Sequence, residues 1–142
     1  MVRRNPPTEP PGQDLEALPG HAIRRLQQIA VAIFLQETEA TGITPVQYAA
    51  LQAVANQSPG GPAIDQRTLA RLIGFDTSTI AGVIDRLEAR GLLRRQATPA
   101  DRRVRLLVLT EEGRAMLGKV VPGMQRAQER MLAPLPPAER AE

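Results

Sequence analysis

The chain contains no cysteine and no tryptophan, a single histidine, and only one lysine among its 18 basic residues. The missing cysteine excludes disulfides, thiol redox chemistry, thiolate metal sites and cysteine nucleophiles. With His21 as the only imidazole, a Ser-His-Asp arrangement would rest on that one residue. No catalytic residues, no metal and no cofactor are therefore expected. Aromatics are also scarce: Phe34, Phe75 and Tyr48 are all there are. A core must then be built from Leu, Ile, Val, Ala and Met, which suits packed helices better than a large sandwich. The longest apolar run, Ile29 to Leu35, falls far short of the roughly 20 residues that cross a bilayer. The N-terminus has no signal-peptide core either. These absences lead us to expect a cytoplasmic protein with no membrane partner.

What is present is arginine. The net charge is +3, and a chain of 142 residues is enough for one compact domain. Guanidinium groups are planar, multiply donating and weakly hydrated, which suits phosphate and groove contacts, although a GC-rich genome also enriches arginine. Between Asp85 and Arg105 seven arginines face three carboxylates, an excess of four that exceeds the charge of the whole chain. The rest of the molecule is therefore close to neutral.

The order of elements follows from periodicity and caps. Residues 1–19, rich in proline, read as a flexible arm. From Gly20 to Thr41, apolar residues recur every three or four positions, predicting an amphipathic helix that needs a partner surface along its length. Thr44, Pro45 and Gln47 make a capping-box helix start. Asp65 caps a short helix with Leu69, Leu72 and Ile73 inward and Gly74 as its stop, and Asp76 caps the next. Two short helices so closely joined form a helix-turn-helix.

In the second of them Ile80, Val83, Ile84 and Leu87 share one face, while Ser78, Ala81, Gly82, Asp85 and Arg86 share the other. Ala and Gly on an outer face forgo packing and helix propensity, which makes sense where a DNA groove must approach the backbone; the plain alternative is an ordinary amphipathic helix. Beyond Gly91, the stretches Leu92 to Gln96 and Arg103 to Leu109 are strand-like and form a basic hairpin. Thr110 caps a last long helix with Glu111 and Glu112 in its first turn, and Pro122 should bend it. The fold class is thus mainly α with a small β-hairpin: a winged helix-turn-helix over residues 44–110, with long dimerisation helices over 20–43 and 111–142; the plain alternative is that both helices simply close the monomer core.

Three stretches carry a family resemblance: ITPVQYAALQAVA, then DQRTLARLIGFDTSTIAGVIDRLEARGLLRR, then ATPADRRVRLLVLTEEG. Together they resemble the MarR family of winged helix-turn-helix transcriptional regulators over roughly Gly20 to Leu135. The most specific piece is Asp101-x-Arg103 followed by Leu109-Thr110-x-x-Gly113. The resemblance implies a homodimer that places two recognition helices in successive major grooves of a pseudo-palindromic operator on double-stranded DNA. It also implies repression that is relieved by a small molecule. Groove-facing positions would fall on Thr77, Ser78, Thr79 and Arg86. The minor-groove arginine would be Arg103, beside Arg102, with Asp101 orienting the wing, and Gln66 and Thr68 are candidate phosphate contacts.

The first helix, GHAIRRLQQIAVAIFLQE, together with ITPVQYAALQ, is similar to a subgroup that controls breakdown of aromatic acids such as nicotinate derivatives or hydroxycinnamates. An aromatic carboxylate or its thioester would then be the effector, with His21, Arg24 or Arg25 holding its polar end; solvation or phosphate contact is the plain alternative for these three. Lack of cysteine excludes the peroxide-sensing members. Only the opening, PPAERAE, of a further family helix is present, implying either truncation or a dimer held by the first and last long helices. Two other readings stay open: DNA binding without an effector, and a winged helix used for protein interaction.

Overall fold

The computed structural model describes residues 12, 14–57 and 63–140. Among them are five α-helices and one antiparallel hairpin: α1 Pro19–Glu37, α2 Pro45–Ala55, α3 Gln66–Ile73, α4 Thr77–Ala89, β1 Leu93–Ala97, β2 Arg105–Leu109 and α5 Glu111–Leu132. The flexible arm expected over 1–19 lies largely outside the described residues. Where it is described, Asp14 caps a single 3-10 turn, Leu15–Ala17, that leads directly into α1.

α1 starts at Pro19 without a side-chain cap, whereas the starts of α2 to α5 are each set by a capping residue. Thr44 Oγ1 accepts from the Gln47 amide while Gln47 Oε1 accepts from the Thr44 amide, completing the capping box. Asp65 accepts from Thr68 N at 2.7 Å, and Thr110 from Gly113 N at 2.9 Å. Gly74 and Gly91 stand at φ 74° and 72°, backbone conformations that side-chain-bearing residues disfavour. α5 persists past Pro122, which lies on its exposed side.

Three expectations shift. α1 stops at Glu37 rather than running to Thr41, because Thr41 N donates to Thr38 O and Gly42 N to Glu39 O, a 3-10 turn, Glu39–Thr41, that closes at left-handed Gly42. Leu72 does not face inward and is 56% exposed. The eight-residue α3 packs through Leu69, Ala70 and Ile73, and Leu72 lies on its flank. α5 ends at Leu132, and among the described residues a single 3-10 turn, Pro137–Glu139, follows it.

The core sits where α2, α3, α4, the hairpin and α5 converge. Ile43, Leu51, Leu69, Ile80, Ile84, Leu87, Leu93 and Val120 are fully buried there. A lone two-stranded hairpin is marginal in water. This one is tacked to the helices by Leu107 N donating to Ile64 O at 2.9 Å and by buried Leu93 and Leu107. α1 lies along α5 and adds Phe34 to the same core. Toward its N-terminal end α1 bares Ile23 and Leu26, 67% and 64% exposed, with Ile29 exposed beside them. Among the described residues nothing covers this apolar patch.

Candidate nucleic-acid interface

The α3–α4 connection is a tight helix-turn-helix. Phe75 N donates to Ala70 O at 2.9 Å across Gly74, and Asp76 begins α4 at once. Asp76 accepts three hydrogen bonds: from Ser78 Oγ at 2.7 Å, Thr79 N at 2.7 Å and Thr79 Oγ1 at 2.8 Å. Those donors, the Ser78 hydroxyl first, hold the Asp76 carboxyl down to about 2. Thr77, Ser78 and Thr79 are all exposed, on the first turn of a helix whose opposite face is core.

The wing tip is tied to itself. Thr98 Oγ1 donates to Asp101 O at 2.7 Å and accepts from Asp101 N at 3.0 Å. Asp101 Oδ1 accepts from the Arg103 amide at 2.9 Å, so this carboxylate shapes the backbone at Arg103. Arg105 donates to Arg102 O at 3.0 Å. Arg102 and Arg103 are exposed.

Wing and helices meet across a cleft of about 290 Å³, lined by Asp65, Gln66, Arg67, Thr77 and Arg103 to Arg105. A second cleft of about 300 Å³, lined by Arg67, Thr68, Arg71, Phe75 and Thr77, adjoins it. Gln66, Thr68, Thr77 and Arg103 are thus brought into one basic furrow. Arg86 is three turns along α4, exposed, beside Gly82.

The furrow also holds Arg67 and Arg71, which the sequence reading missed. Their four-residue spacing on a helix whose other side is Leu69 and Ile73 was the available signal. Conversely, two arginines counted in the basic stretch are engaged by the protein itself. Arg95 pairs with Asp85 at 2.7 Å and Glu88 at 3.1 Å, and reaches Gln66 Oε1 and Ala81 O. Arg90 donates to Thr41 O and Gly42 O. Arg95 therefore fastens the wing to the flank of α4, and Arg90 fastens α4 to the turn before α2.

The effector candidates lie elsewhere. His21 and Arg24 sit on the first turns of α1, with His21 Nδ1 and Arg24 Nη2 3.0 Å apart. Further along α1 is an apolar cleft of about 300 Å³ lined by Gln27, Val31, Phe34, Tyr48, Met124 and Met131. Through Gln27, Val31 and Pro45 it runs into a trench of about 480 Å³ that reaches Phe75, Val83 and Arg86. None of His21, Arg24 and Arg25 lines either space in the single chain. Among the described residues no cluster of His, Asp or Glu is placed to hold a metal ion, and no helix is long and apolar enough to cross a membrane.

A helix-turn-helix flanked by an arginine-bearing hairpin defines a winged-helix module. A family model described as the MarR family matches residues 41–104. The chain is 32% identical over 121 residues to the HTH-type transcriptional repressor NicR of Pseudomonas putida, covering 85% of this chain and 74% of that protein. It superposes on Bordetella bronchiseptica BpsR with a TM-score of 0.81 and 35% identity, covering 92% and 90% of the two chains; BpsR's DNA binding is regulated by 6-hydroxynicotinic acid. On CouR of Rhodococcus jostii bound to p-coumaroyl-CoA the TM-score is 0.72 at 30% identity, covering 88% and 85%. CouR bound to a 23-mer DNA duplex gives 0.79 at 30% identity, covering 89% and 87%. The chain belongs to the MarR family of transcription regulators.

Proposed function

We propose that the protein is a homodimeric, sequence-specific repressor that acts in the cytoplasm without catalysis and leaves its operator when an aromatic carboxylate or related metabolite binds. The observation that carries this reading is the furrow, where exposed Thr77 at the start of α4 and Arg103 and Arg105 of the wing line one cleft. The bare apolar face of α1 supports a second copy. Two-fold symmetry would set the two α4 helices about one turn of DNA apart on a pseudo-palindrome. Thr77, Ser78, Thr79 and Arg86 then read the major groove. Arg103, shaped by Asp101 and flanked by Arg102, enters the minor groove, and Gln66 and Thr68, with Arg67 and Arg71, hold phosphates.

Gly82 supplies a test of the groove assignment. A methyl there meets nothing closer than Arg86 Nη1 at 4.0 Å, so the fold has room for it. Gly82→Ala is expected to raise folding stability by about 0.5–1 kcal/mol in urea unfolding, through helix propensity. Operator affinity should fall, because the added methyl lies where DNA comes closest. Affinity that rises with stability would take Gly82 out of the contact surface.

The effector reading rests on the stripe formed by His21, Arg24, Gln27, Val31 and Phe34, spaced three or four apart on α1. It puts cationic or polar ends one turn beyond an apolar cleft within the size range of small-molecule pockets. A ring would sit among Val31, Phe34, Tyr48 and Met124, with its carboxylate toward Arg24 and His21. Arg25, about 100° around the helix, is the weaker candidate. An occupant between α1, α2 and α5 releases DNA only if it prefers an arrangement of the lobes that the operator does not.

The expected result is that a hydroxylated aromatic acid, 6-hydroxynicotinate being the first to try, dissociates a fluorescent operator duplex. Arg24→Ala should raise the half-release concentration roughly tenfold through loss of a charge-assisted hydrogen bond, with operator affinity unchanged. Binding of such acids without release would favour a regulator with no effector.

A further inference from the structure

The hydroxyl hydrogens of Ser78 and Thr79 both point back into Asp76. An ionised carboxylate can only accept, so each hydroxyl is obliged to donate to it and keeps only its lone pairs for anything outside. We infer that Asp76 is a positioning residue that makes the leading turn of α4 a hydrogen-bond acceptor, so that Ser78 and Thr79 select bases offering an amino group in the major groove. Those are adenine through N6 and cytosine through N4; guanine and thymine present acceptors at the corresponding edge. This rests on the reading that α4 faces DNA bases, and it adds which chemistry that face can read.

The geometry also says how to reverse the polarity at one position. Oδ1 of Asp76 accepts from Thr79 N, which can only donate, so an asparagine at this position must keep its oxygen there. Its amide nitrogen then replaces Oδ2 and donates to Thr79 Oγ1. That frees the threonine hydroxyl hydrogen to point outward, while Ser78 goes on donating to Oδ1. Asparagine caps helices as well as aspartate does, so the fold is kept.

The experiment uses the full chain and a duplex enriched by the wild-type protein from a randomised library. Single bases are replaced by analogues lacking the amino group (purine for adenine, 2-pyrimidinone for cytosine) or lacking the N7 acceptor (7-deazapurines). For wild type, deleting one amino group should weaken binding about fivefold, and that loss should vanish in Thr79→Val. In Asp76→Asn the same deletion should become neutral, and a 7-deaza substitution at or beside that base pair should now cost about fivefold.

The inference is overturned if Thr79 couples to a 7-deaza position in wild type, or if Asp76→Asn keeps the amino-group dependence. It is also overturned if no analogue couples to Thr79 while Arg103→Ala still weakens binding, an outcome that leaves the DNA-binding reading standing. If no duplex is enriched or bound even at low salt, the proposed function falls first and takes this inference with it.

Discussion

Replacing Gly123 with alanine is expected to lower the melting temperature by about 10 °C, from a loss of about 3 kcal/mol in a chain of this size. A Cβ at Gly123 would stand 2.4 Å from Glu37 O and 3.1 Å from the Thr38 methyl. The obstacle is the backbone at the end of α1 rather than a side chain that could swing away. The same junction is clamped from the other side by Glu37, which accepts from Arg126 at 2.8 Å and Arg130 at 3.0 Å. Opening the helices to admit a methyl would therefore break those ion pairs too.

The control lies five residues away on the same helix. Gly118 is exposed with nothing within 4 Å of its would-be Cβ, so Gly118→Ala should stabilise by up to about 1 kcal/mol. Opposite signs for two Gly→Ala changes in α5, measured by thermal unfolding, separate close packing from helix propensity. Two losses of similar size would remove the close-approach account. Gly113 should behave like Gly123, because its Cβ would fall 2.1 Å from Leu92 O. That carbonyl also accepts from Thr110 Oγ1 at 3.0 Å. The threonine and glycine of the Leu109-Thr110-x-x-Gly113 motif thus serve one junction: the hydroxyl ties the start of α5 to the strand entry, and the glycine lets it come that close.

What could be read from the sequence was whatever is decided within a few residues. Thr44, Asp65, Asp76 and Thr110 each cap a helix because their acceptors reach an amide three positions on, a relation wholly contained in the local string. The glycines after α3 and α4 announced themselves likewise. The roles of Arg90 and Arg95 could not be read this way. Their partners lie up to 49 residues away, and nothing local distinguishes an arginine held by Thr41 O from one free to meet phosphate. Leu72 was misplaced because a stripe of three apolar residues on a short helix is wider than the surface its neighbours cover. In the furrow, Thr77 and Arg103 were legible from the motif. Arg67 and Arg71 join them only once the fold brings the first turn of α3 beside the wing.

The steepest response expected of this protein is to salt. Arg67, Arg71, Arg102 and Arg103 are exposed on the furrow and wing, and a dimer doubles them to about eight cationic contacts. At roughly 0.9 counterions released per contact, log K falls with log salt at a slope near −7. A fourfold rise from about 50 to about 200 mM then weakens operator binding roughly 10⁴-fold. Arg103→Ala should flatten that slope by roughly 2, one unit per protomer, and also lose about 1–3 kcal/mol of affinity. Arg95→Ala provides the contrast. Its guanidinium is neutralised by Asp85 and Glu88, so removing it can loosen the wing and lower affinity, but it should leave the slope unchanged. A slope that ignores Arg103 while responding to Arg95 would exchange the roles assigned to them. A slope near zero for wild type would mean that the furrow binds protein and not a polyanion, because no interface built on these arginines can hold DNA without displacing its counterions.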